Sequence, residues 1–170
     1  MQEKVTVVGA GLAGCEAAHF LSRCGIPVRL VECKPKSFTP AHSDANFAEL
    51  VCSNSLKSDD VYGNACGLLK EEMRTLGSLI IGAADKNRVP AGGALAVDRT
   101  AFSSAVTGAI RSDADIEIVC EEAERIPEGY AIVATGPLTQ GALAEDIRAL
   151  LGGNLAFYDA AAPIVSADSI

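Results

Sequence analysis

The sequence predicts an α/β fold, Rossmann-like and wound around a parallel sheet, and three features carry that expectation. The β-branched run Val5-Thr6-Val7-Val8 leads into Gly9-Ala10-Gly11-Leu12-Ala13-Gly14 and an alanine-rich helical start, the order of a G-x-G-x-x-G fingerprint. A second apolar run, Val28 to Val31, follows the turn Gly25-Ile26-Pro27 and ends at Glu32, eighteen residues past Gly14. A third run, Tyr130 to Ala134, ends in the small residues Thr135 and Gly136.

Each part of the opening unit has a physical role. Gly9 permits the tight turn out of the strand, Gly11 lets the backbone approach a pyrophosphate, and Gly14 lets the helix pack closely on the sheet. With Ala10, Leu12 and Ala13 between them, these residues aim the unpaired N–H groups and positive end of a helix at phosphate. Glu32 stands near the spacing of about 20 expected for the acid that bonds ribose hydroxyls. Its charge repels a 2′-phosphate, which favours FAD or NAD over NADP at this position. The exit Ala134-Thr135-Gly136 leaves room for a cofactor backbone, and this second approach favours a flavoprotein over a plain NAD domain.

The remaining elements follow from periodicity. Strands are expected near 4–8 and 27–31 with a helix near 12–24 between them. From Lys34 to about Tyr62 both periodicities vanish, and a loop so long inside a domain marks function. Phe38, Phe47, Leu50 and Val51 predict that this loop, 34–62, is ordered and packed. Helical spacing returns from Asn64 to about Ala84, with Leu68, Leu69, Met73, Leu76, Leu79 and Ile80 as a core-facing stripe. Arg88 to Ala94 reads as a turn. Asp98 reads as the N-cap or first-turn acid of a helix to about Arg111, followed by strands near 115–120 and 130–134 and a helix near 140–151.

Composition bounds the function. At 170 residues the chain has room for one domain with a real core. No apolar run approaches the roughly 18 residues of a membrane span and no signal peptide is apparent, so the chain reads as cytoplasmic and without a membrane partner. The six cysteines, at 15, 24, 33, 52, 66 and 120, form no C-x-x-C pair. They read mostly as buried free thiols, with no disulfide scaffold and no metal site expected. A net charge of −8 opposes general nucleic-acid binding, so any RNA contact must be local. The cations in or near the central loops are Lys34, Lys36, Lys57, Lys70, Arg74, Arg88 and Arg99, which read equally well as scattered surface counter-charges.

The segment Phe47-Ala48-Glu49-Leu50-Val51-Cys52-Ser53-Asn54-Ser55-Leu56 frames a cysteine with small polar residues, about twenty positions past the fingerprint. It suggests a reactive thiol beside a bound cofactor. A free cysteine titrates near about 8.5 and needs a nearby cation or helix N-terminus to ionise at neutral pH. Lys57 and the helix near Asn64 are the sources at hand. Ser53, Asn54 and Ser55 either donate hydrogen bonds to a flavin or form a turn. His42 reads as a cofactor or substrate contact or as a solvated loop residue, and His19 as structural.

With these motifs the chain resembles the TrmFO family of flavin- and folate-dependent tRNA (uracil-5-)-methyltransferases over nearly its whole length. The resemblance is carried by the Gly9–Gly14 fingerprint, Thr39-Pro40-Ala41-His42, Phe47 to Leu56, Leu69 to Arg74, Arg88 to Arg99, Ala134 to Thr139 and Phe157 to Val165. It implies FAD as cofactor, NAD(P)H and methylenetetrahydrofolate as co-substrates, and a T-loop uridine of tRNA as methyl acceptor. Uracil C5 is a poor nucleophile until a group adds at C6, and thiolate addition there makes an enolate able to attack a one-carbon carrier. The resemblance offers Cys52 either for that addition or for a place against the flavin. Structurally it is also readable as an inert buried thiol.

Family members are more than twice this long, which implies that residues 1–170 are the amino-terminal part of an FAD-binding domain. The rest of that domain, an inserted substrate domain and a later cysteine would lie beyond it. The expectation is a tRNA methyltransferase by descent whose machinery is incomplete in this chain and needs the carboxy-terminal remainder. Two alternatives are an FAD- or NAD-dependent oxidoreductase fragment acting on a small molecule, and a non-catalytic nucleotide-binding module.

Overall fold

A computed structural model describes residues 3–39 and 41–153. Strand β1 (Val5–Val8) feeds helix α1 (Leu12–Arg23) and then β2 (Val28–Glu32), so the expected βαβ opening is present within a residue or so at each end. β6 (Ile116–Cys120) and β7 (Ala131–Val133) complete a parallel four-stranded sheet in the order β6-β2-β1-β7. Register puts Val7 beside Leu30 and Ile132, and Val8 beside Val31 and Val133, so the carboxyl ends of β1, β2 and β7 lie side by side.

Helix α1 packs through Gly14, Cys15, Ala18 and Ser22, the stripe that three- and four-residue steps place on one face. Helix α4 (Arg99–Ser112) presents Phe102, Val106 and Ile110 to the same core, which also holds Val7, Val28 and Leu30. Asp98 caps it, accepting from the Ala101 amide at 2.9 Å, as its position predicted. Helix α5 (Gly141–Leu151) buries Leu143 and Ala144, and its Asp146 accepts from the Ile126 amide at 2.7 Å.

The middle of the chain departs from expectation. In place of one helix over 64–84 there are two, α2 (Ala65–Thr75) and α3 (Leu79–Lys86), broken where Gly77 turns at φ +75°. Ser78 caps α3, and Glu16 of α1 reaches across to accept from the Ser78 hydroxyl and from the Leu79 and Ile80 amides. Of the expected core stripe only Ile80 is buried; Leu68, Leu69 and Leu76 are about half exposed or more. Apolar spacing had marked a face without specifying what covers it. Part of that face lines a groove of about 450 Å³ between α1 and the α2–α3 turn, beside Phe20 and Met73.

The expected loop 34–62 contains a strand, β3 (Ser55–Ser58), and the expected turn at 88–94 is flanked by β4 (Arg88–Val89) and β5 (Ala94–Val97). These make a separate antiparallel sheet in the order β3-β5-β4. All three strands are four residues or shorter, too short for alternation to declare itself in the sequence. The Phe157–Val165 motif lies outside the described residues.

Among the described residues no helix is long and apolar enough to cross a membrane. The cysteines also differ from expectation, because only Cys15 is buried. Cys24 and Cys52 are exposed, and Cys33, Cys66 and Cys120 are half-buried.

Candidate functional site

The strand carboxyl ends converge on the fingerprint turn. Gly9 takes φ +95°, and a side chain there would meet the Ala134 carbonyl oxygen at 2.8 Å and the Thr135 Cα at 3.0 Å. Gly14 lies tighter still, since a Cβ would stand 1.8 Å from the Gly9 oxygen. These two glycines therefore close the turn against β7. Gly11 differs: a Cβ there would meet nothing within 4 Å, so its backbone faces open space.

Helix α1 starts at this opening with no side-chain cap and no acid in its first turn. Its first intrahelical bond runs from the Cys15 amide to the Gly11 oxygen at 3.0 Å, leaving the amides of Leu12, Ala13 and Gly14 without helical acceptors. Such a bare, acid-free helix start suits an anion. Glu32 sits at the end of β2, 7% exposed, with one oxygen accepting from the Ala10 amide at 2.6 Å and the other from the Lys34 amide at 3.0 Å. Thr135 and Thr139 pair their hydroxyls at 2.6 Å, and Gly136 turns at φ +78°. Gly9 to Gly14, Glu32, Thr135 and Gly136 are thus gathered at one edge of the sheet. The open Gly11 backbone, the uncapped helix and the acid at the next strand fit the pyrophosphate and ribose of a dinucleotide such as FAD.

The thiol segment is sewn onto this turn. The Ala48 amide donates to the Ala10 oxygen at 2.9 Å, Phe47 is 1% exposed, and its amide donates to the Thr107 hydroxyl on α4 at 2.8 Å. Leu50 is buried, whereas Phe38 and Val51 are exposed. The loop is packed as expected, through half of its predicted anchors. Ala48 and Lys57, on either side of Cys52, both hold left-handed backbone at φ 51° and 68°, a conformation that costs a side chain about 1–2 kcal/mol and gathers at functional segments. Cys52 itself is exposed. Asn54 donates its side-chain amide to the Val97 oxygen at 3.2 Å and so fastens the segment to β5, whereas Ser53 accepts from the Ser55 amide at 3.1 Å and forms a local turn.

Other thiols near the fingerprint are held protonated. Burial, and then the charge of Glu32, pushes Cys15 up to about 12, and its thiol lies 3.3 Å from the Ala10 oxygen. The same two causes raise Cys33 to about 11. Neither is poised to act as a nucleophile at neutral pH.

Most of the cations proposed for RNA are committed internally. Lys34 and Lys70 are buried, and Lys70 donates to the Ser58 and Cys66 oxygens at 2.7 and 2.9 Å. Arg74 bridges Asp85 and Asp59 at 2.8 Å each, and Arg88 also pairs with Asp59. Burial would raise the Asp59 carboxyl, but hydrogen bonds and charge from both guanidiniums hold it below the usual range. Lys36, Lys57 and Arg99 remain exposed. His42 shares a 2.5 Å hydrogen bond with Thr39. Sequence reasoning missed Lys34 and Glu49 as parts of the site, because their contacts fold back within the stretch from residue 32 to residue 49, where no periodicity announces a pairing.

The family model described as glucose inhibited division protein A matches residues 4–170. A curated relative from Anaeromyxobacter sp. (strain Fw109-5), named methylenetetrahydrofolate--tRNA-(uracil-5-)-methyltransferase TrmFO, is 59% identical over 99% of this chain and 38% of its own length. The protein of that name from Acetivibrio thermocellus is 56% identical over 100% of this chain and 39% of its own. The chain therefore spans about two fifths of the length of these relatives. Among solved structures, Aquifex aeolicus GidA superposes with a TM-score of 0.58 at 18% identity, covering 75% of this chain and 21% of that one, a likeness of fold.

Proposed function

The chain belongs to the glucose inhibited division protein A family, and from that premise we propose that it forms the cofactor-binding amino-terminal part of a folate- and flavin-dependent tRNA (uracil-5-)-methyltransferase. The observation that carries this reading is the joining of the fingerprint turn to an exposed thiol segment by the Ala48–Ala10 bond, in a chain whose relatives bear that enzyme name.

Gly9 to Gly14 and the start of α1 would hold the pyrophosphate of FAD, Glu32 the ribose, and the Thr135–Gly136 exit the cofactor's flank. Bound there, a flavin supplies reducing electrons drawn from NAD(P)H. Cys52 is the residue we assign to chemistry, either adding to uracil C6 or standing against the flavin. Asn54 holds that thiol's segment to β5, and Ser53 turns the segment locally. The loop 34–62 is the functional loop of this domain, and tRNA contact falls to exposed residues such as Lys36, Lys57 and Arg99 together with surfaces beyond this chain. We place the enzyme in the cytoplasm, as a protein acting on tRNA.

The first test titrates the 170-residue chain with FAD while following flavin fluorescence; saturable quenching supports the reading. The second joins the chain to the remaining length of the Anaeromyxobacter relative and measures folate-dependent methylation of a tRNA transcript, with and without Cys52→Ala. Loss of methylation in the variant is expected. Nicotinamide oxidation without methyl transfer would instead indicate a small-molecule oxidoreductase, and unchanged methylation in the variant would remove Cys52 from the chemistry.

A further inference from the structure

Lys34 sits in a closed circuit of polar contacts that ties the fingerprint turn to the thiol loop. Its own amide donates to Glu32 Oε1, whose second oxygen accepts from the Ala10 amide. Its ammonium, 6% exposed, donates to the Asp44 oxygen at 3.0 Å and to the Asn46 oxygen, and stands 3.5 Å from Glu49 Oε2. That Glu49 oxygen has no hydrogen-bond donor, so the Lys34 charge is its compensation. Glu49 Oε1 meanwhile accepts from the Ser43 amide and hydroxyl and the Asp44 amide at 3.0–3.2 Å. Burial would raise the Glu49 carboxyl, but these donors and Lys34 together hold it below the usual range. The Ala48 amide on the Ala10 oxygen closes the ring.

A buried ammonium is costly unless paired, and a surface lysine serving only solubility would not be placed this way. We infer that Lys34 is a positioning residue: it couples the seating of Glu32, and of any ribose it binds, to the placement of residues 44–50 and hence of Cys52 just beyond them. The inference rests on the proposed function only for what it positions. The circuit itself is a property of the chain.

The test compares the parent chain with Lys34→Met and with the double variant Lys34→Met/Glu49→Gln, which removes both charges of the pair and so keeps the proposal falsifiable should the single variant not fold. Hydrogen exchange of amides 44–50 is measured without FAD, followed by the rate of Cys52 alkylation with and without FAD. Removing charge-assisted hydrogen bonds should speed exchange in 44–50 by about tenfold or more while β1 and α1 stay unchanged. Unchanged exchange in 44–50 in the folded variants overturns the inference. In the FAD arm, protection of Cys52 in the parent and its loss in the variants is the expected coupling, and equal protection in both overturns it. Absence of protection in the parent counts against the proposed place of Cys52 beside the flavin, and the exchange result still decides the role of Lys34.

Discussion

The β1–α1–β2 unit and the loop that carries Cys52 meet at one backbone turn, yet they reach their geometry by opposite means. In the first, Gly9 and Gly14 stand where side chains have no room, and a four-residue strand and a twelve-residue helix follow from local pattern. In the second, a buried phenylalanine, a buried lysine and its partner carboxylate, all within the loop itself, hold backbone that no local preference would choose. A site of this kind combines a prefabricated glycine turn with a loop whose placement depends on tertiary contacts, and the two should break differently.

The largest expected effect lies in the loop. Phe47 is 1% exposed in the common core, and Phe47→Ala should cost about 3–5 kcal/mol, read as a lowered urea midpoint. A cost under about 1 kcal/mol would show that the loop is a passenger on the domain. Next come two alanine substitutions in the fingerprint that should separate folding from binding. Gly14→Ala drives a methyl into the Gly9 carbonyl and should destabilise by about 1–3 kcal/mol. Gly11→Ala meets open space, so it should change stability by about 1 kcal/mol or less while weakening FAD binding markedly in a fluorescence titration. Equal binding in the Gly11 variant would mean that phosphate does not approach there.

The same contrast explains what was legible in the sequence. The fingerprint, Glu32, the cap at Asp98 and the parallel sheet could be read because each rests on spacing or on a residue type that only one conformation favours. The break at Gly77 was readable in principle, but the apolar stripe running through it suggested continuity. The second sheet was hidden by the shortness of its strands. Lys34, Arg74 and Arg88 looked like surface cations because sequence carries no sign of the carboxylates and carbonyls that claim them.

A smaller effect should appear at alkaline pH. Cys15 is raised from 9.0 to about 12, so between those values the folded chain holds a proton that the unfolded chain has released. Stability present below pH 9 should therefore fall as pH rises toward 12, by at most about 1.4 kcal/mol per pH unit from this group. Cys15→Ala should flatten that decline in urea midpoints measured across the window. Cys33, raised to about 11 by the same causes, leaves a residual slope. An unaltered slope in the variant would place the alkaline sensitivity elsewhere.

The smallest effect tests why the loop resists sequence reading. Positive φ at Gly9 is announced by a glycine, whereas at Ala48 and Lys57 it falls on residues that give no signal. Lys57 is exposed, and its amide bond to the Ser55 hydroxyl would survive substitution. Lys57→Gly should relieve about 1–2 kcal/mol of left-handed strain and lose about 0.5–1 kcal/mol to the entropy of glycine, a net gain of several tenths. Ala48→Gly relieves similar strain but also removes a methyl that is 1% exposed, so it should gain less or lose stability. If Lys57→Gly is stabilising and leaves Cys52 alkylation unchanged, the strain follows from anchoring the loop at both ends. If it is stabilising but alters Cys52 reactivity, the strain itself holds the thiol in its position.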